Sequence, residues 1–129
     1  RYGMKRIYFS LLLLALSIAG ALYQFWYVSS KSDEFTKRIE EIDEYMLKDD
    51  FASAIDASKE TEDDWSETAN NIDIFLIHDY VDSISLDISQ LSACVENGNP
   101  QMYFMKSASI KKGLTSLKES EYPVIANII

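Results

Sequence analysis

Apolar positions divide the chain into one unbroken block followed by a series of periodic stripes. From Ile7 to Val28, 22 consecutive residues carry no charge, and a helix of that length spans about 33 Å, close to the hydrocarbon core of a bilayer. Tyr8 and Phe9 stand at one end of the block and Tyr23, Phe25, Trp26 and Tyr27 at the other, where amphipathic rings favour the headgroup zones. The pattern predicts a transmembrane helix over residues 7–28. Beyond it, Phe35, Ile39, Ile42 and Met46 follow at steps of 4, 3 and 4, with charged residues filling most positions between. That spacing predicts an amphipathic helix with one buried stripe. Val28 stands seven residues before Phe35, so the stripe stays in phase across Ser29–Asp33 and the two helices read as one nearly continuous stalk.

The remaining chain reads as further amphipathic helices. Asp49-Asp50 offers an N-cap, after which Phe51, Ala54, Ile55 and Ala57 open a second helix that fades into the acidic run Glu60–Asp64. Asp64-Trp65-Ser66-Glu67 has capping-box spacing and offers another helix start, which leaves one bent rod or two helices around Asp64 as open alternatives. From there Trp65, Ala69, Ile72, Leu76 and Tyr80, then Ile77, Val81, Ile84, Ile88, Leu91 and Val95, trace overlapping helical stripes. Ser83–Ser89 alternates like a strand, but no other segment offers a partner strand, so the longer helical pattern prevails. Asn97-Gly98-Asn99-Pro100 reads as a corner, with Gly98 at a helix C′ position, Asn99 as an N-cap and Pro100 in the first turn. The last helix buries Tyr103, Ile110, Leu114 and Leu117, places Lys106, Lys111, Lys112 and Lys118 in water, and stops at Pro123. The apolar tail Val124–Ile129 is expected to dock on the domain or the membrane surface. The fold class is therefore all-α: one N-terminal transmembrane helix, then a small antiparallel helical bundle over 29–129.

Charge adds topology to this picture. Arg1, Lys5 and Arg6 give the first 30 residues +3, so the net charge of -9 leaves -12 on the other 99. Lys5 and Arg6 on the N-terminal side of the block place residues 1–6 in the cytoplasm and the acidic domain outside. A cleavable signal peptide competes, because Ala19-Gly20-Ala21 has small-x-small form. The apolar run continuing through Tyr27 favours a retained anchor. An acidic domain also disfavours nucleic acid and anionic surfaces as partners.

Candidate chemistry is sparse. His78 and Asp82 are one helical turn apart, but a metal site needs more ligands and the chain has one His. The better reading pairs a partly buried His78 with a carboxylate. The acidic clusters lack the spacing of a calcium loop. Cys94, the sole cysteine, reads as a small core residue. No nucleophile elbow, P-loop or dinucleotide fingerprint occurs, so neither an enzyme nor a cofactor is expected. Trp65 reads first as a core anchor and second as an interaction hot spot.

The basic start Met4-Lys5-Arg6, the single hydrophobic segment, Trp65 ahead of His78-Asp79-Tyr80-Val81-Asp82, and the closing Lys112-Gly113-Leu114 to Glu121-Tyr122-Pro123 stretch resemble a group of small bacterial membrane proteins called domain of unknown function 4363. The similarity is read over nearly the whole chain from Met4. It implies a bacterial membrane location and a membrane-protein neighbour, and it supplies no catalytic residue. The function expected from these readings is a noncatalytic accessory or scaffold that binds another membrane or envelope protein. Its contacts would come from the stalk face (Phe35, Ile39, Ile42, Met46), from Trp65, and within the bilayer from Ala19, Gly20 and Ala21. The alternatives are an outer module sensing a small molecule or cation, and a secreted helical domain if the leader is cleaved.

Overall fold

The computed structural model describes residues 2–72 and 78–120. They form four helices, α1 (Tyr2–Leu47), α2 (Phe51–Asn71), α3 (His78–Glu96) and α4 (Pro100–Glu119), with no strand among the described residues. The expected stalk is present in full: α1 runs for 46 residues without a break at Ser29–Asp33. Ser32 is buried there, and Thr36 Oγ1 donates to the Ser32 carbonyl at 2.7 Å, so these small polar residues cap nothing and stay helical.

Two different environments share this one helix. Ile7, Leu11 to Leu14, Leu16, Leu22, Tyr23 and Trp26 all lie exposed, whereas Val28, Phe35, Ile39, Ile42 and Met46 are buried. The sequence boundary therefore shifts by a residue or two. Val28 is core, and Tyr27 packs against it from the rim.

The corners follow the chemistry of their residues. At the end of α1, Asp50 N donates to the Tyr45 carbonyl and Asp49 N to that of Met46, with Asp49 at φ 58. This is a Schellman closure. Asp50 then caps α2 by accepting from Ser53 N at 3.2 Å. The α3–α4 corner repeats the arrangement with Gly98 at φ 65, and Asn99 accepts from Met102 N at 3.1 Å ahead of Pro100. Both caps stand where the sequence places them.

One predicted start is absent. Helix α2 passes straight through Asp64, because Glu60, Asp63 and Ser66 sit on its outer face while Thr61, Trp65 and Thr68 continue the buried stripe begun by Ala54 and Ser58. The capping-box spacing at Asp64 thus lies inside a helix. The division falls later, with α2 closing at Ile72, so the stripe read from Trp65 to Val95 belongs to two helices. Phe51 and Tyr80 are exposed rather than buried. Leu76, Ile77, Pro123 and the apolar tail lie outside the described residues.

Helix α1 packs on α2 and α4, and α3 packs on the same two. Residue numbers run in opposite senses across two of these contacts: Asp33 meets Lys118 while Asp43 meets Ser107, and Lys59 meets Glu96 while Trp65 meets Ser85. Helix α3 packs tightly on α4 at Gly113, where a Cβ would lie 2.8 Å from Ile84 Cγ1. Replacing Gly113 with Ala gains helix propensity of about 1 kcal/mol but forces Ile84 aside, an overpacking cost of about 1–3 kcal/mol. Chemical denaturation should therefore show Gly113→Ala to be the less stable protein.

Candidate functional site

The largest group of polar side chains that link the helices lies on α4. Asp43 of α1 accepts from Tyr103 Oη at 2.8 Å, from Ser107 Oγ at 2.7 Å and from Lys111 Nζ at 2.9 Å. On the other flank, Asp87 of α3 accepts from Ser109 Oγ at 2.7 Å and Lys106 Nζ at 3.4 Å. Asp33 receives Lys118 Nζ at 3.1 Å. Three lysines expected to face water instead reach aspartates of neighbouring helices, their stems lying along the domain surface. Tyr103 is fully buried, and burial, reinforced by the hydrogen bond and charge of Asp43, pushes its phenol well above the ordinary value of 10.0. Sequence reading missed Asp43 and Asp87, although a signal exists. Asp43 follows Ile39 by four residues, and Asp87 follows Ile84 by three. An acid on an apolar stripe calls for a partner across the interface.

The residues proposed from sequence as partner contacts fall into two groups. Phe35, Ile39, Ile42, Met46 and Trp65 are core. Trp65, 1% exposed, meets the Phe35 ring edge-on at 5.1 Å and donates to Ser85 Oγ at 2.7 Å. The stalk face is therefore covered by this chain's own helices and is not an open docking surface; an apolar stripe reports that something covers it, not what does. Ala19, Gly20 and Ala21 differ. They lie on the segment below the core, and a Cβ at Gly20 would meet nothing within 4 Å.

Of the other candidates, His78 Nε2 lies 3.0 Å from Asp82 Oδ2, so the expected carboxylate pairing is present, though both side chains are well exposed. Among the described residues no three His, Cys, Asp or Glu side chains gather into a metal-sized cluster. Cys94 is buried, as a small core residue should be. An open groove of about 750 Å³ runs between α1 and α2, lined by Asp33, Glu34, Glu41, Glu60 and Asp64 together with Lys37 and Arg38. A smaller pocket of about 320 Å³ lies between α1 and α4 beside Ser32, Thr36, Thr115 and Lys118. Two buried polar atoms have no hydrogen-bond partner among the described residues, Gln24 Nε2 and Ser32 Oγ.

The architecture defines a class: an all-helical protein in which one N-terminal helix is long and apolar enough to cross a membrane and carries a helical core at its far end. The chain belongs to the family described as domain of unknown function (DUF4363), whose model matches residues 22–128. The resemblance read from sequence thus holds, but the match starts after Ala21 and leaves out Met4-Lys5-Arg6. Comparison with curated proteins and with solved structures gives no match.

Proposed function

We propose that this protein is a noncatalytic, single-pass membrane protein whose antiparallel helical bundle stands outside the cell membrane and supports another membrane or envelope protein. The observation that carries the reading is the continuity of α1. Its exposed apolar turns, Ile7 to Trp26, pass without a joint into a buried core that starts at Val28. Exposed leucines over five turns need a nonaqueous surround, and the basic Lys5-Arg6 end favours the cytoplasm.

Because the stalk face is already covered, the surface left for helix packing in the bilayer is the one around Ala19, Gly20 and Ala21. Small residues there let a second helix approach closely. Gly20→Leu is expected to lower co-purification of the partner from native membranes by about tenfold, in line with the 1–2 kcal/mol typical of helix contacts in lipid. Recovery equal to wild type would remove the bilayer contact from the proposal.

A second reading is favoured by one observation. The family match opens at residue 22, directly behind Ala19-Gly20-Ala21, and every core residue lies beyond it. Cleavage there would release a helical domain with its core complete. Intact-mass spectrometry of the native protein separates the two, since the anchored form retains Met4 and the secreted form begins near Leu22.

A further inference from the structure

The outer side of the α1–α4 pair keeps both apolar and charged groups without a partner. Leu47 is 75% exposed and Phe104 37%, the one four residues beyond Asp43, which reaches α4, the other three before Ser107, which reaches α1. Both therefore border the line where the two helices meet. Glu40, seven residues before Leu47, and Lys112, eight after Phe104, are exposed and pair with nothing among the described residues. The helices run in opposite senses, with Asp33 beside Lys118 and Asp43 beside Ser107, so each step up α1 is a step back along α4. Leu47 is thus level with Phe104, Glu40 stands within two residues of the level of Lys112, and Thr36 is level with Thr115 in one open groove.

These levels suit a second copy of the chain. An anchor in α1 holds every copy at one height and in one orientation, so a closed pair forms about a two-fold axis along the membrane normal. That axis sets α1 of one copy against α4 of the other at equal height. Leu47 then meets Phe104 of the second copy, Glu40 meets its Lys112 and Thr36 its Thr115, each contact occurring twice. Small Ala108, exposed between Phe104 and Lys112, leaves room for the approach. Charge favours the same face. The domain carries -12, and α2 turns Asp56, Asp63 and Glu67 to water, whereas α4 holds Lys106, Lys111, Lys112 and Lys118 against the single acid Glu119. A face that includes α4 lets acid meet base between copies, where the α2 side would set acid against acid. We propose that the α1–α4 face is the interface of a parallel homodimer, with Leu47 on Phe104 and Glu40 on Lys112 of the opposite copy. The proposal rests on the membrane-anchored reading, and anchoring also raises the effective concentration of the copies, so a face of modest size suffices.

The test is disulfide trapping in native membranes that hold two full-length forms of the protein with different tags, buried Cys94 being left in place. Leu47→Cys in one form and Phe104→Cys in the other should trap a mixed dimer about tenfold more than Leu47→Cys with Asp63→Cys, because a disulfide needs its two Cβ atoms close together. Glu40→Lys in both forms sets lysine against lysine at two sites and should lower the trapped fraction about tenfold, and adding Lys112→Glu in the same chains should restore it. Neither side chain pairs within the chain, so the fold is kept, which circular dichroism of each variant checks. Equal trapping at Asp63, absence of a mixed dimer, trapping of Leu47→Cys only with a different protein, or a double variant no better than Glu40→Lys overturns the proposal. Alkaline carbonate extraction of the same membranes reads the anchor separately. Protein that stays in the membrane without trapping overturns the interface alone, whereas protein released by carbonate overturns the anchor and, with it, the shared height on which the interface depends.

Discussion

Trp65→Ala is expected to remove about 3–5 kcal/mol from the folded state, the usual cost of emptying a large aromatic site. A domain of this size has about 5–15 kcal/mol in total, so the variant should unfold at a much lower urea concentration than wild type. The reason is position as much as size. Trp65 fills the space between α1 and α3 from α2, edge-on to Phe35 on one side and hydrogen-bonded to Ser85 on the other. Ser85 in turn donates to the Val81 carbonyl at 2.8 Å, so its hydroxyl stays satisfied when the indole is removed. The loss is thus packing rather than an orphaned polar group. Trp65→Phe keeps much of the contact with Phe35 and should lose clearly less. Circular dichroism during urea titration gives both values. A Trp65→Ala protein of wild-type stability with reduced partner recovery would return Trp65 to the role of a surface contact.

The second large effect is centred on Asp43. Asp43→Ala leaves Tyr103 Oη without an acceptor in a fully buried position and strands Ser107 and Lys111 beside it. Breaking a buried ionic network typically costs about 3–5 kcal/mol, but Lys111 keeps about a third of its side chain in water, so screening places the expectation nearer 2–3 kcal/mol. Asp43→Asn, which can still accept from Tyr103, should lose less. A cycle with Tyr103→Phe should give a coupling of about 1–2 kcal/mol, since the two groups touch directly. The raised phenol adds a pH signature. Folding holds the Tyr103 proton, so the folded chain binds more protons than the unfolded one above the ordinary value of 10.0. Stability from this group is whole below that pH and falls as pH rises beyond it. Wild type should start to lose its advantage over Tyr103→Phe as pH rises above about 10 and keep losing it at higher pH; a constant difference would show that the phenol titrates equally in both states.

These two sites differ in how far they can be read from sequence. Trp65 as a core anchor follows from its place on a 3.6-residue stripe. Asp43 is as regular in its spacing from Ile39, yet its role depends on Tyr103, Ser107 and Lys111, about 60 residues away along the chain. The lysines of α4 show the same limit. A periodicity argument assigns each to an outer or inner face, and lysine at the edge of a face is free in one packing and paired in another. At Asp64 local chemistry misled for a related reason. Capping-box residues are also good outer-face helix residues, and Arg38 on α1, 2.6 Å from Asp64 Oδ2, supplies a tertiary partner inside a continuing helix.

What the sequence by itself determined is everything that depends on neighbours within a turn or two. The charge-free block of Ile7–Val28, the phase that carries α1 through Ser29–Asp33, the caps at Asp50 and Asn99 and the reversal at Gly98 are all settled by local sterics and hydrogen bonding. Tertiary structure alone decided which helices cover the stalk stripe, where the helices between Phe51 and Val95 divide, and which carboxylate each α4 lysine reaches. Those outcomes turn on contacts between residues 19 to 85 positions apart. Amphipathic stripes specify that a face is buried, but they are nearly degenerate in partner, and only the simultaneous fit of four helices selects one arrangement.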